Sequence, residues 1–113
     1  MDESPRRRRG SNKAQTVATV VYSGRSLNHI ERIFGILREA NPGAAIAAVS
    51  AICSAVDTLA AHPLIGRRVE GEIRELIISY GQTGYLVLYR FVVPLDEVRI
   101  LALRHQREVG FLP

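Results

Sequence analysis

The chain has 113 residues, 47% of them apolar, which suits one domain with one packed core and argues against global disorder. The formal charge of +4 is uneven: residues 1–15 carry +3 and the remainder only +1, so the folded part is not charged like a dedicated nucleic-acid binder. A lone Cys53 excludes an internal disulfide, and with the three histidines it forms no metal-ligand spacing, so no metal and no cofactor are expected.

Residues 1–15 read as a disordered basic leader, carrying Arg6 to Arg9 and interrupted by Pro5 and Gly10. They lack the apolar segment and cleavage site of a secretory signal. The domain is expected over residues 16–113. Thr16 to Tyr22 is short and β-branched, a strand. Ser26 is the expected N-cap of a first helix to about Ala40, with Leu27, Ile30, Ile33, Phe34 and Leu37 on its apolar face. Asn41-Pro42 then starts a second helix, as cap and first-turn proline. This helix carries two adjacent apolar rows: Ile46, Val49, Cys53, Val56 and Ala60, beside Ala45, Ala48, Ile52, Ala55 and Leu59. The stretch Ala44 to Ala61 is interrupted by Ser50, Ser54, Asp57 and Thr58, so it is expected to be a buried helix rather than a membrane span. His62-Pro63 ends it.

Leu64 to Gly71 is expected to be a loop. Three strands follow at Ile73 to Ser79, Tyr85 to Val92 and Val98 to His105, joined by Gly81-Gln82-Thr83-Gly84 and Pro94-Leu95-Asp96-Glu97. Links this short make them antiparallel. The expected fold is α+β with order β-α-α-β-β-β, a helical hairpin on one face of a small antiparallel sheet.

Two segments, IRELIISYGQTGYLVLYRF (Ile73 to Phe91) and VRILALRHQREVGF (Val98 to Phe111), together with Asn-Pro between the two helices, resemble the RelE/ParE toxins of type II toxin–antitoxin systems. The resemblance implies a cytoplasmic toxin that inhibits growth, an antitoxin partner (ParD-like or another small antitoxin) in a hetero-oligomer, and no membrane role. It implies one of two targets, the remaining alternative being a non-toxic, degenerate binding domain. ParE-like, plasmid-stabilising members poison DNA gyrase; RelE-like members are ribonucleases that cut messenger RNA on the ribosome.

Target contacts are expected from Arg74, Arg90, Arg104, His105 and Arg107. Metal-free RNA cleavage would use Arg74 and Arg90 as phosphate clamps, Arg107 as a second clamp and His105 as acid or base, with Glu72 or Glu75 as a base. His105, Arg107 and Arg99 share strand parity and should point to one side. The antitoxin would cover Ile46, Val49, Ile52 and Val56. Ribonuclease members carry an arginine just after the tyrosine that starts the third strand, whereas Leu86 stands here. That departure favours the gyrase reading. Each residue also has a structural role open to it. Arg74 could pair with Glu72 or Glu97, Arg90 with Glu108 or Asp96, and Tyr85 and Tyr89 could line the core. His29 and His62 read as surface residues.

Overall fold

The computed structural model describes residues 17–113; the basic leader and Thr16 lie outside them. The elements are β1 (Thr19–Tyr22), α1 (Gly24–Ala40), α2 (Pro42–Asp57) continued by a 3-10 turn (Thr58–Ala60), β2 (Arg67–Glu70), β3 (Ile73–Tyr80), β4 (Thr83–Val92) and β5 (Glu97–His105). The sheet order is β1-β5-β4-β3-β2. All neighbours are antiparallel except β1, which runs parallel to β5 from Thr19 opposite Glu97 to Tyr22 opposite Ile100. The chain between these parallel neighbours runs through both helices and β2–β4, well beyond the minimum length a parallel connection requires.

Two expectations about the strands change. Arg67–Glu70 is a strand rather than a loop, paired with β3 through Arg67 opposite Glu75 and Arg68 opposite Arg74. It is exposed along its whole length. It therefore shows no hydrophobic alternation, and its charges suit a sheet edge. The turn between β3 and β4 is only two residues long, because Tyr80 already pairs with Thr83. Gly81 takes φ 62° there, the left-handed start of a II′ hairpin turn.

α1 begins a turn earlier than expected. The Ser23 hydroxyl accepts from the Ser26 N–H at 3.0 Å, so Ser23 is the cap and Ser26 is buried inside the helix. The inward row is Ser26, His29 and Ile33, while Leu27 lies on the exposed side. His29 is thus not a surface residue: it is 2% exposed. The Asn41 side chain caps α2 by accepting from the Ala44 N–H at 3.1 Å, with Pro42 in the first turn.

The buried line on α2 crosses the two expected rows, taking Ala45, Ala48, Ile52 and Leu59 from one and Val56 from the other. The alanines at the start of that line allow α1 to approach closely. Ile52 and Val56 are therefore core residues, fully buried, and offer an antitoxin nothing to touch. Ile46 is 62% exposed and Val49 is half-buried, so only these two of the four expected contacts are reachable. Contrary to expectation, Pro42–Ala60 is long and apolar enough by length and composition to cross a membrane, with a mean hydropathy of 1.7. Its inner row instead forms the domain core, together with Ile33, Ile78, Tyr85, Val87, Tyr89, Val98, Ile100 and Leu103. Nor is it a buried helix, being 28% buried. Cys53 is half-buried beside Tyr22, whose phenol is pushed up by burial first and then by the Cys53 thiol.

Tyr85, Val87 and Tyr89 line the helix-covered side of β4, as expected of Tyr85 and Tyr89. The Tyr89 hydroxyl accepts from the Gly66 N–H at 2.8 Å. A Cβ on Gly66 would lie 2.6 Å from the Tyr89 ring and 2.9 Å from the Glu75 carbonyl, so only glycine fits.

Candidate functional site

His105 ends β5 opposite Tyr85, near the start of β4. The rings meet edge to face with centroids 5.4 Å apart. The His105 Nδ1 accepts from the Arg107 N–H at 3.1 Å, which leaves the ring proton on Nε2, where it donates to the Thr83 hydroxyl. Arg107 lies in the turn just beyond β5. Both side chains line a cleft of about 230 Å³ between α1 and the β4–β5 ladder. Its floor is apolar, from Ile33, Ile36, Leu37 and Tyr85, and its polar rim is completed by Arg32 and Glu108. Burial pushes the Tyr85 phenol up, with Tyr80 adding to it, so Tyr85 stays a neutral hydroxyl.

Glu108 fixes this rim. Its carboxylate accepts from the His105 N–H at 2.8 Å and pairs with the Arg32 guanidinium. Burial acts to raise its carboxyl, but the His105 N–H and Arg32 outweigh that and hold it below its ordinary value. Arg104 points to the other face of the sheet from His105. Its guanidinium sits 5.1 Å from the Phe111 ring and donates to the carbonyls of His105, Gln106 and Glu108. Arg104 is thus spent on folding the end of the chain back.

Arg74 and Arg90 lie elsewhere. Arg74 stands opposite Tyr89, four positions along β4 from Tyr85 and His105, or about 13 Å. Its guanidinium donates to the carbonyls of Leu64 at 3.1 Å and Gly66 at 2.8 Å, tying down the segment before β2 rather than pairing with Glu72 or Glu97. Arg90 points to the opposite face, beside Arg99, and has Glu72 as a loose partner at 4.0 Å rather than Glu108 or Asp96. Glu75 pairs with Arg67. The expected trio of Arg74, His105 and Arg107 is therefore not assembled, and neither Glu72 nor Glu75 reaches His105.

The shared parity of Arg99 and His105 also fails. A bulge in β5 at Leu101 breaks the ladder between Leu88 and Tyr89, so Arg99 faces Arg90 on the open side while His105 faces Tyr85 on the helix side. Sequence reasoning missed Arg32, Thr83 and Glu108 as parts of the site. Arg32 reads as a solvated helix position and Glu108 as tail, and only the folded-back chain end joins them. Among the described residues no group of histidine, cysteine, aspartate and glutamate is placed to hold a metal.

Residues 20–110 match the family model described as the ParE toxin of the type II toxin–antitoxin system parDE. Two curated relatives are similar in sequence, both from Caulobacter vibrioides. Toxin RelE3 is 43% identical over 59% of this chain and 71% of its own length. Toxin RelE1 is 34% identical over 66% of this chain and 80% of its own length. Among solved structures, a chain of the toxin–antitoxin complex RelBE2 from Mycobacterium tuberculosis superposes with a TM-score of 0.55 at 20% identity, covering 82% of this chain and 95% of that one. That likeness extends to the helical pair on the mostly antiparallel five-stranded sheet. With a family model spanning most of its length, this chain belongs to the RelE/ParE superfamily of type II toxin–antitoxin toxins.

Proposed function

We propose that the chain is the toxin of a type II toxin–antitoxin pair, acting in the cytoplasm as a metal-independent ribonuclease of the RelE kind, through the cleft that holds His105 and Arg107. The observation that carries this reading is their meeting at one apolar-floored cleft: a ring able to transfer a proton beside a cation able to hold a phosphate. The two relatives named RelE support the same branch. In such a reaction the 2′-oxygen attacks the adjacent phosphorus and passes its proton to solvent water. The 5′-oxygen leaves and takes one up. A cation steadies the charge that builds on the phosphoryl oxygens. In this reading proton transfer falls to the His105 ring and the phosphate contact to Arg107. The proposed antitoxin lies over the reachable part of α2, at Ile46 and Val49.

Gyrase inhibition is the second reading, and two observations favour it. Arg74 is occupied by loop carbonyls. Leu86 stands where the resemblance places an arginine in the ribonuclease branch, and on β4 it faces Arg104, away from the cleft. Induction of His105→Gln in a bacterial host separates the two, because glutamine keeps hydrogen bonding but transfers no proton. The ribonuclease reading expects messenger cleavage to fall about 10²–10⁴-fold with the variant folded. Undiminished arrest accompanied by a DNA-damage response would refute it in favour of gyrase.

A further inference from the structure

The outer edge of β5 changes character halfway along. Up to Ile100 it is paired with β1, which ends there. Beyond Ile100 no strand among the described residues covers it, and side chains take over. The Ser23 hydroxyl donates to the Leu101 carbonyl at 3.2 Å, His29 Nδ1 accepts from the Leu103 N–H at 3.0 Å, and Glu108 accepts from the His105 N–H at 2.8 Å. The middle one is a buried histidine, and it makes a second bond. Its Nε2 lies 2.8 Å from the Leu112 carbonyl. With Nδ1 accepting, the ring proton is on Nε2 and donates to Leu112. Arg25 Nε donates to the same carbonyl at 2.7 Å.

One ring thus joins three parts of the chain: α1, β5 two residues before His105, and the end of the folded-back segment that carries Arg107 and Glu108. An apolar residue at this position would leave the buried Leu103 N–H without an acceptor. A serine or threonine would be too short to reach both partners.

We propose that His29 is a positioning residue, whose two ring nitrogens hold β5 and the C-terminal segment in the register that presents His105 and Arg107 at the cleft. Nδ1 fixes the strand and Nε2 fixes the segment. The growth-arrest arm of its test rests on the function proposed above; the exchange arm does not.

The two nitrogens can be separated by substitution in the full chain. Asparagine places its oxygen near Nδ1 and keeps the Leu103 bond. Glutamine places its amide nitrogen near Nε2 and keeps the Leu112 bond. Amide exchange at Leu103 reads the first bond. Exchange at Arg107 and Glu108, whose N–H groups bond to His105, reads the seating of the segment. His29→Asn is expected to leave Leu103 slow and to speed Arg107 and Glu108 about fivefold, with growth arrest lost. His29→Gln is expected to do the opposite: fast at Leu103, slow at Arg107 and Glu108, growth arrest retained. Equal behaviour of the two variants at Arg107 and Glu108 would overturn the proposal, because the distinction between the nitrogens would then carry nothing. Arg25→Ala guards against variants that fail to fold, since Arg25 is exposed and loses only the companion bond to Leu112. It should also speed Arg107 and Glu108, and unchanged exchange there would count against the proposal equally. A parent chain that arrests nothing would remove the function reading while leaving the exchange result to decide the role of His29.

Discussion

Ile52 and Ile46 lie on the same helix, and the structure assigns them opposite fates. Ile52 is fully buried in the cluster with Val56, Leu59 and Ile33, whereas Ile46 is 62% exposed. Truncating Ile52 to alanine removes three buried carbons, worth about 2.4 kcal/mol of transfer free energy at roughly 0.8 kcal/mol each. The rigid surroundings leave part of the hole unfilled, so a total of about 3–4 kcal/mol is expected, within the range for such truncations. For a domain of this size that lowers the melting temperature by roughly 10–25 °C. Ile46→Ala should change stability by no more than about 0.5 kcal/mol. Thermal and urea unfolding of both variants, followed by far-ultraviolet circular dichroism, measure the difference. Titration with the cognate antitoxin then asks whether Ile46→Asp weakens binding in a protein of unchanged stability. If Ile46→Ala destabilised as much as Ile52→Ala, the facing of α2 argued above would be wrong, and the other apolar row would be the core.

Gly66→Ala should destabilise the fold by at least about 2 kcal/mol in urea unfolding, because the new methyl meets the Tyr89 ring and the Glu75 carbonyl, both fixed. Arg74→Ala frees the carbonyls of Leu64 and Gly66, so proteolytic nicking should rise between Ala61 and Arg67 while the ends of β4 and β5 keep their exchange protection. The Glu108 carboxyl is lower in the folded chain than in the unfolded one, so its contribution to stability is full above its ordinary value near 4.5 and is lost as the pH falls through the folded value. Glu108→Gln should therefore flatten the acid limb of the stability–pH profile, and a limb as steep as the parent's would refute that role. Arg104→Glu should loosen the chain end itself, because Arg104 holds three of its carbonyls. Loss of toxicity in that variant should accordingly come with faster amide exchange at Arg107 and Glu108, whereas a pure target contact would leave exchange unchanged.

What the sequence by itself determined is local. Asn41-Pro42 specifies a helix start through one side-chain oxygen and one missing N–H. Gly81 specifies a tight reversal through its left-handed backbone. The short links after Ile73 force three antiparallel strands, and the resemblance of their text to the toxin family held over the whole domain. Each of these signals acts within a few residues of its cause.

The tertiary structure decided whatever depends on a partner far away in the chain. Two apolar rows ran side by side along α2, and only tertiary packing chose Ala45, Ala48, Ile52, Val56 and Leu59, drawn from both, over Ile46 and Val49. β2 is an exposed edge strand paired with β3, so its charged text carried no periodicity to read. The bulge at Leu101 turned Arg99 and His105 to opposite faces, because one extra residue inverts a two-residue period. Arg74 was spent on two carbonyls and His29 was buried between Leu103 and Leu112, contacts across 8 to 83 positions of sequence. A charged or polar side chain has the same local signature whether it faces water or a backbone group brought from the other end of the chain, and only folding brings that group into reach.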